Sequence, residues 1–326
     1  MGINGRLEKE LQAEKKMKVR LSKLPPIFSD FYYSMSNKSY LTCSNYIDHV
    51  VDFMNFITDG EDNNTFYKNI TPIDINKYIS SIKTYNANGT IKKTSDSALA
   101  ARWSSLNAFY KFLYLNGHVE ENIVAKTERP RIKDEHKKPA LTKKEIKSMA
   151  YNIDKNAYRK NINRDKLIFS LGISTGLRVS AISQLNVEDI DLEHNTLQVI
   201  EKGDKYRVIE FGDNLKDLFV AYLADRQKYF GDVTTNALFI SQKKQRITNA
   251  AIRNLLAKYA NGATDKHVSA HTLRRTSANQ LYNKTGDIYL VGNHLGHADI
   301  STTKRYISVD EEKQKNKINF MDSIII

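Results

Sequence analysis

The C-terminal part of the chain combines side chains that can hold and attack a phosphodiester. Tyr306 lies nine residues after His297, and His271 and Arg274, three residues apart, precede both. A guanidinium group binds phosphate oxygens, an imidazole transfers protons near neutral pH, and a phenolic oxygen can act as a nucleophile. Together, these residue types indicate phosphoryl transfer carried out by side chains.

Two earlier basic residues extend this pattern. Arg178 follows Gly-Leu at the end of an apolar segment, and Lys202 lies between two short strand-like segments. The whole order resembles that of the tyrosine recombinases, the family of phage integrases and Xer-like enzymes: an early Arg, a Lys in a β-hairpin, His-x-x-Arg, a further His and a late Tyr. The matching residues are Arg178, Lys202, His271, Arg274, His297 and Tyr306. A match spread over about 130 residues is far more specific than any of its fragments.

The resemblance implies a role for each residue. Arg178 and Arg274 clamp the scissile phosphate, for which a planar guanidinium that stays charged is well suited. Tyr306 is the nucleophile; its phenol, with an ordinary pKa of about 10, needs a proton acceptor or a strongly positive site. His271 accepts or orients the proton, and His297 donates a hydrogen bond to a phosphate oxygen.

The leaving group also needs a proton. By the same resemblance, Lys202 at the tip of a hairpin protonates the leaving 5′ oxygen, with Lys205 and Arg207 as alternatives nearby. The implied products are a 3′-phosphotyrosyl link and a free 5′ hydroxyl. Because the covalent link conserves the energy of the broken bond, no ATP is needed, and the chain has no Walker-type Gly-x-x-x-x-Gly-Lys-Ser/Thr sequence.

A metal site is the rival explanation for the histidines. His267, His271, His294 and His297 have spacings compatible with zinc. No Cys or Glu interleaves them, and there is no His-Glu-x-x-His sequence. We therefore predict an enzyme that needs neither metal nor other cofactor.

Two positions depart from the family pattern. Many members carry an acid three residues after the first catalytic arginine, where this chain has Ala181; Arg275 also stands where relatives often have histidine. The leading prediction is a site-specific recombinase acting in integration or excision of a mobile element. The alternatives are a topoisomerase-like relaxing enzyme with the same residues and a sequence-specific DNA-binding protein that has lost catalysis.

Composition favours a polyanionic partner. The 50 Lys and Arg against 37 Asp and Glu give a formal net charge of +13, and neutralised phosphates release counterions from DNA. A single cysteine, Cys43, excludes an internal disulfide and favours a reducing compartment. No apolar run is long enough to span a bilayer. We expect a cytoplasmic, nucleoid-associated protein encoded by a bacterium, a phage or a mobile element, with double-stranded DNA as its partner.

The chain is predicted to be mainly α-helical with a small antiparallel β-hairpin or sheet. The segments are a basic arm or helix (1–26), a helical domain (27–125), a charged, proline-containing linker (126–140) and an α+β domain with a C-terminal tail (141–326). The resemblance identifies residues 27–125 as a SAM-like core-binding domain and 141–326 as the catalytic domain. It implies that they form a C-shaped clamp on DNA.

Periodicity locates the elements. Apolar residues three and four apart predict helices, whereas residues 197–200 and 207–211 flank a turn and predict a hairpin. Nothing in residues 27–122 alternates like a strand, so four or five helices are expected there. A capping box at Thr142 and Glu145 begins the second domain. The main predicted helices cover residues 72–79, 97–115, 166–175, 215–229, 249–259, 271–282 and 301–307, with a helical stretch around Leu290.

The tail after Tyr306 ends in three isoleucines, Ile324 to Ile326. An exposed apolar end usually has a docking site, either on its own domain or on another protomer. The family resemblance implies exchange of this tail between neighbours in a homo-tetramer on two DNA sites. An accessory DNA-bending or directionality factor is a further possible partner.

Overall fold

The computed structural model describes residues 5–61, 64–132, 140–200, 206–231, 233, 235–296 and 302–303. The chain divides into two compact units, Met1–Glu135 and His136–Ile326. Both are mostly helical, with small antiparallel sheets, which confirms the predicted fold class. Among the described residues, no helix is both long and apolar enough to cross a membrane.

The first unit is built around aromatic side chains. Phe66 and Phe109 stack with ring centroids 5.9 Å apart, and Phe28 stacks on both. Ser39 and Thr71 cap two of its helices, and Pro72 occupies the first turn of the second one, which begins where the predicted 72–79 helix does. Its helices are α1 (Gly5–Leu21), α2 (Ile27–Ser34), α3 (Tyr40–Thr58), α4 (Pro72–Ser81) and α5 (Asp96–Leu115).

The N-terminal segment, predicted as a basic arm or helix, forms α1. Met17 and Leu21 are buried in the core of the first unit, and Arg20 forms an ion pair with Asp48 on α3. The last turns of α1 are therefore part of this unit's packing, which the few apolar residues of the segment did not suggest.

The prediction that the first unit contains no strands is wrong. Strands β1 (Thr84–Ala87) and β2 (Thr90–Lys93) pair antiparallel. Asn88 and Gly89 join them with φ values of 51° and 80°, the positive pair that a type I′ turn requires. The strands show no apolar alternation because nearly every residue is exposed. The Asn-Gly dipeptide was the signal that could have located this hairpin.

The second unit has a three-stranded antiparallel sheet with the order β3-β4-β5. The predicted hairpin is β4 (Thr196–Ile200) with β5 (Tyr206–Glu210), in the register that pairs Gln198 with Val208. Strand β3 (Ile190–Asp191) was not predicted because two residues are too few to establish a period. Residues 201–205, which include Lys202 and Lys205, lie outside the described residues.

Helices enclose the core of the second unit. The predicted capping box between Thr142 and Glu145 begins α6. The central α7 packs on α9 and α11, and Gly172 permits the contact with α11, because a Cβ there would lie 2.6 Å from Leu273 Cδ1. The helices are α6 (Lys143–Asn156), α7 (Ile162–Ser174), α8 (Val179–Gln184), α9 (Asp213–Phe230), α10 (Asn249–Ala260), α11 (Ala270–Thr285) and α12 (Ile288–Leu295).

Candidate active site

Among the candidate residues that the structure describes, Arg274 is the most buried, with 1% of its surface exposed. Its Nη1 donates to the carbonyl oxygen of Gly176 and its Nη2 to that of Leu295, each at 2.6 Å. A guanidinium has five N–H donors, and these bonds account for two of them. Arg274 thereby joins the turn before Arg178 to the helix end before His297.

The turn before Arg178 depends on a glycine. Gly176 has a φ of +62°, and a Cβ on it would lie 2.6 Å from Leu295 Cδ2. The hydroxyl of Thr175 donates to Leu171 O and accepts from Leu177 N, which closes the end of α7. The chain then reaches Arg178, which is extended and exposed at the start of α8.

His271 lies one turn before Arg274 on α11. Partial burial lowers its pKa below the usual imidazole value, and the positive charges of Arg274, Arg178, Arg275 and Arg253 lower it further. These arginines therefore lie close enough to act on the ring. The lowered pKa favours the neutral imidazole, which is the form that can accept a proton.

The end of α12 is held from two directions. The Oγ of Ser277 lies 2.8 Å from Nε2 of His294, and burial with the charges of Arg207 and Arg274 lowers the pKa of His294. From β5, Nη1 of Arg207 donates to the carbonyl oxygens of His294 at 2.8 Å and Asn293 at 3.3 Å. These bonds tie the strand that follows Lys202 to the helix end that precedes His297.

The chain just before Tyr306 also packs on α12. Thr302 and Thr303 are helical, within the predicted 301–307 helix, and Thr303 is fully buried. A Cβ at Gly292 would lie 3.3 Å from Thr303 Oγ1, so Thr303 lies close to α12. Glycine at position 292 suits the small space.

Of the predicted catalytic residues, the structure brings Arg178, His271 and Arg274 together. Lys202, His297 and Tyr306 lie outside the described residues, so their placement stays a prediction.

The sites of the two departures have ordinary environments. Ala181 packs, partly buried, against the core of the second unit, and Arg275 adds to the charge around His271. Within the described ranges, no group of three or more His, Cys, Asp or Glu side chains could hold a metal ion. His297, one member of the possible zinc set, is not among those residues.

The sequence did not identify the supporting residues. Arg207 was predicted as an alternative acid to Lys202, but its Nη1 donates to backbone carbonyl oxygens of α12. Ser277 and Arg253 were not singled out at all. Each acts on a group 17 or more positions away, such as Ser277 on His294, and one-dimensional spacing carries no signal for such pairs.

A mostly helical protein with a small antiparallel sheet and an arginine-rich, histidine-containing site is suited to bind and transfer phosphoryl groups. The sequence profile of the phage integrase family matches residues 139–313, and the chain belongs to this family.

Named relatives agree with this assignment. Tyrosine recombinase XerC of Thermodesulfovibrio yellowstonii is 33% identical over 226 residues, which cover 68% of this chain and 74% of the relative. Tyrosine recombinase XerC of Listeria monocytogenes strain F2365 is 27% identical over 301 residues, covering 91% of this chain and 97% of the relative.

Two solved structures have a similar fold. XerH site-specific recombinase, bound to a palindromic difH substrate in a post-cleavage complex, has a TM-score of 0.70 and 24% identity; the match covers 88% of this chain and 81% of that one. A dimer of lambda integrase residues 75–356 bound to a COC′ core site has a TM-score of 0.63 and 18% identity, with 85% and 96% covered.

Proposed function

We propose that the protein is a site-specific recombinase that cuts and rejoins duplex DNA through a 3′-phosphotyrosyl intermediate. The observation that carries this proposal is the convergence of Arg178, His271 and Arg274 in a member of the phage integrase family. The net charge of +13 supports a polyanionic partner.

The proposed reaction balances without a co-reactant. The oxygen of Tyr306 attacks the phosphorus, its proton passes to His271, and the bond to the 5′ oxygen breaks. Lys202 gives the leaving oxygen a proton. Arg178 and Arg274 stabilise the charge on the non-bridging oxygens, and His297 donates a hydrogen bond to one of them. A 5′ hydroxyl from a second duplex reverses these steps and completes strand exchange.

The lowered pKa of His271 supports its assignment as proton acceptor, because a neutral imidazole is available at physiological pH. Arg274 supports the geometry in a second way. It holds the turn before Arg178 and the end of α12 through two carbonyl oxygens, so the phosphate-binding groups are positioned before DNA arrives.

At the level of assembly, we propose a homo-tetramer on two DNA sites, with C-terminal tails exchanged between neighbours. A lambda integrase tetramer bound to a Holliday junction has a similar fold, with a TM-score of 0.64. In this arrangement residues 27–125 are the core-binding domain and 141–326 the catalytic domain, clamped around DNA. The biological process is integration or excision of a mobile element in the cytoplasm, with an accessory factor as a possible partner.

The test uses a nicked suicide duplex. Its sequence is the one that the protein protects in a footprint at the ends of the mobile element. The nick releases the short 5′-hydroxyl strand after cleavage, so the covalent intermediate accumulates. We expect a protein–DNA adduct that persists in a chelator and disappears in Tyr306→Phe. Arg274→Gln is expected to bind this duplex and form little adduct.

Two other outcomes identify the alternatives. Tight binding without an adduct would mean a catalytically inactive DNA-binding protein, the reading that Ala181 favours. Relaxation of any supercoiled plasmid without sequence preference would mean a topoisomerase-like enzyme. Loss of the adduct on chelation would instead show that a metal takes part.

A further inference from the structure

The hairpin of the first unit, here called the β1–β2 ribbon (residues 84–93), is exposed on both faces. Cross-strand partners share a face, so Thr84, Asn86, Ile91 and Lys93 form one face and Tyr85, Ala87, Thr90 and Lys92 form the other. Ile91 is 77% exposed and Tyr85 52%. Each face therefore presents an apolar side chain and a lysine to solvent.

The ribbon is held in shape although it lacks a packed face. Isolated two-stranded hairpins are marginally stable in water, so this one needs local support. The turn residues Asn88 and Gly89 have the positive φ values of a type I′ turn, and Asn86 Oδ1 accepts from Gly89 N at 2.9 Å. At the base, Thr94 N donates to Lys83 O at 2.8 Å and Thr94 Oγ1 to Ile82 O at 2.6 Å.

The charge of the ribbon has one sign. Residues 82–95 contain Lys83, Lys92 and Lys93 and no Asp or Glu. All three lysines are exposed, and within the described part of the chain none has an ion-pair partner. Lysine side chains without acidic partners are complementary to a polyanion.

The shape of the ribbon indicates that the polyanion is duplex DNA. A two-stranded ribbon fits the major groove of B-DNA, which is about 12 Å wide and has a phosphate backbone along each wall. Lys92 and Lys93 are adjacent in β2 and point to opposite faces. With the turn leading into the groove, each lysine faces a different wall.

We propose that the β1–β2 ribbon enters a groove of the duplex that the recombinase binds, with Lys92 and Lys93 contacting phosphates on the two walls. The proposal rests on the proposed function, because it adds a contact element to that DNA complex. In this complex, the exposed side chains of Tyr85 and Ile91 would pack against the DNA.

The experiment measures how affinity for a fluorescein-labelled duplex of arbitrary sequence changes with salt. The slope of log K against log salt is negative, and each lost phosphate contact makes it less steep by about 0.9, so Lys92→Gln/Lys93→Gln should make it less steep by about 1.8. The loss of affinity at 0.1 M salt is then tenfold or more. Because both side chains are exposed, the thermal unfolding of the double variant should match that of the parent.

Lys68→Gln/Lys111→Gln is the matched control, with the same loss of charge. Lys111 lies near the C-terminal end of α5, which is the end remote from the ribbon. Lys68 lies near the same end, because the neighbouring Tyr67 contacts His118 just beyond α5. A 20-residue helix is about 30 Å long, which separates these lysines from Lys92 and Lys93. Equal slopes for the two double variants, or a ribbon variant that keeps the parental slope, would overturn the proposal.

A crosslinking experiment gives an independent readout. Ile91→Cys carrying a photoactivatable benzophenone is expected to crosslink to the duplex, whereas Leu115→Cys, 68% exposed before substitution at the far end of α5, is not. Equal crosslinking, or none at position 91, would contradict the ribbon's placement. If the unmodified protein neither binds duplex DNA nor forms the adduct, the proposed function itself fails; a ribbon failure leaves that adduct intact.

Discussion

Gly176→Ala tests the turn that connects Arg274 to Arg178. The new methyl group meets two penalties. A left-handed backbone disfavours an L-residue by about 1–2 kcal/mol. Its Cβ also lies 2.6 Å from Leu295 Cδ2, and overpacking of this kind costs about 1–3 kcal/mol. We therefore expect the second unit to lose about 2–5 kcal/mol of unfolding free energy.

Gly262→Ala separates these penalties. Gly262 has a φ of +73° but no atom within 4 Å of its added Cβ, so this variant reports backbone strain alone and should lose about 1–2 kcal/mol. In a Leu295→Ala background, the clash at position 176 is absent. In that background, the loss of unfolding free energy caused by Gly176→Ala should fall to that caused by Gly262→Ala. The two single variants at positions 176 and 295 and their double variant form a double-mutant cycle.

The assay is urea unfolding followed by two signals. The single tryptophan, Trp103, lies in α5 of the first unit, so its fluorescence follows that unit, while far-UV circular dichroism follows both. Gly176→Ala should move the dichroism transition of the second unit and leave the Trp103 transition in place. Adduct formation should fall even where the protein stays folded. A loss no larger than that of Gly262→Ala would refute the close contact with Leu295.

Three further predictions concern the surroundings of the site. Arg207→Gln removes the bonds from β5 to the end of α12 and should slow single-turnover adduct formation about a hundredfold at saturating DNA; an unchanged rate would exclude a positioning role. Arg253→Gln removes a positive charge near His271 and should raise its pKa in NMR titration of the free protein, which an unmoved titration would contradict. Burial opposes ionisation of Glu145, but hydrogen bonds led by that from Lys266 hold its pKa at about 2. This carboxylate therefore contributes stability that is present above pH 4.5, its ordinary pKa, and is lost as the pH falls towards 2. Glu145→Gln should destabilise the protein by about 1–2 kcal/mol at pH 7, after solvent screening, and by little near pH 2. An equal effect at both pH values would refute the assignment.

The sequence predicted those features that depend on local patterns. Apolar periodicity located α9 and α10 to within one or two residues, and the capping box at Thr142 is present as expected. The β4–β5 hairpin followed from its short apolar segments around a turn. In contrast, β1 and β2 carry no packed face, so a search for alternating burial could not find them, although Asn88-Gly89 marked their turn.

The candidate site shows the same division. The family pattern identified Arg178, His271 and Arg274, because their order and spacing are written in the chain. The bonds that position them join residues far apart: Arg274 to the carbonyl oxygens of Gly176 and Leu295, 98 and 21 residues away. Such partners depend on how α7, α11 and α12 pack, and packing is decided by the whole core rather than by any local motif.

The most direct test of catalysis is the identity of the residue joined to DNA. After trapping on the nicked duplex and digestion with protease and nuclease, mass spectrometry should find one peptide with a nucleotide attached through its 3′ phosphate to the phenolic oxygen of Tyr306. A nucleotide on any other side chain, or attachment through a 5′ phosphate, would contradict the account.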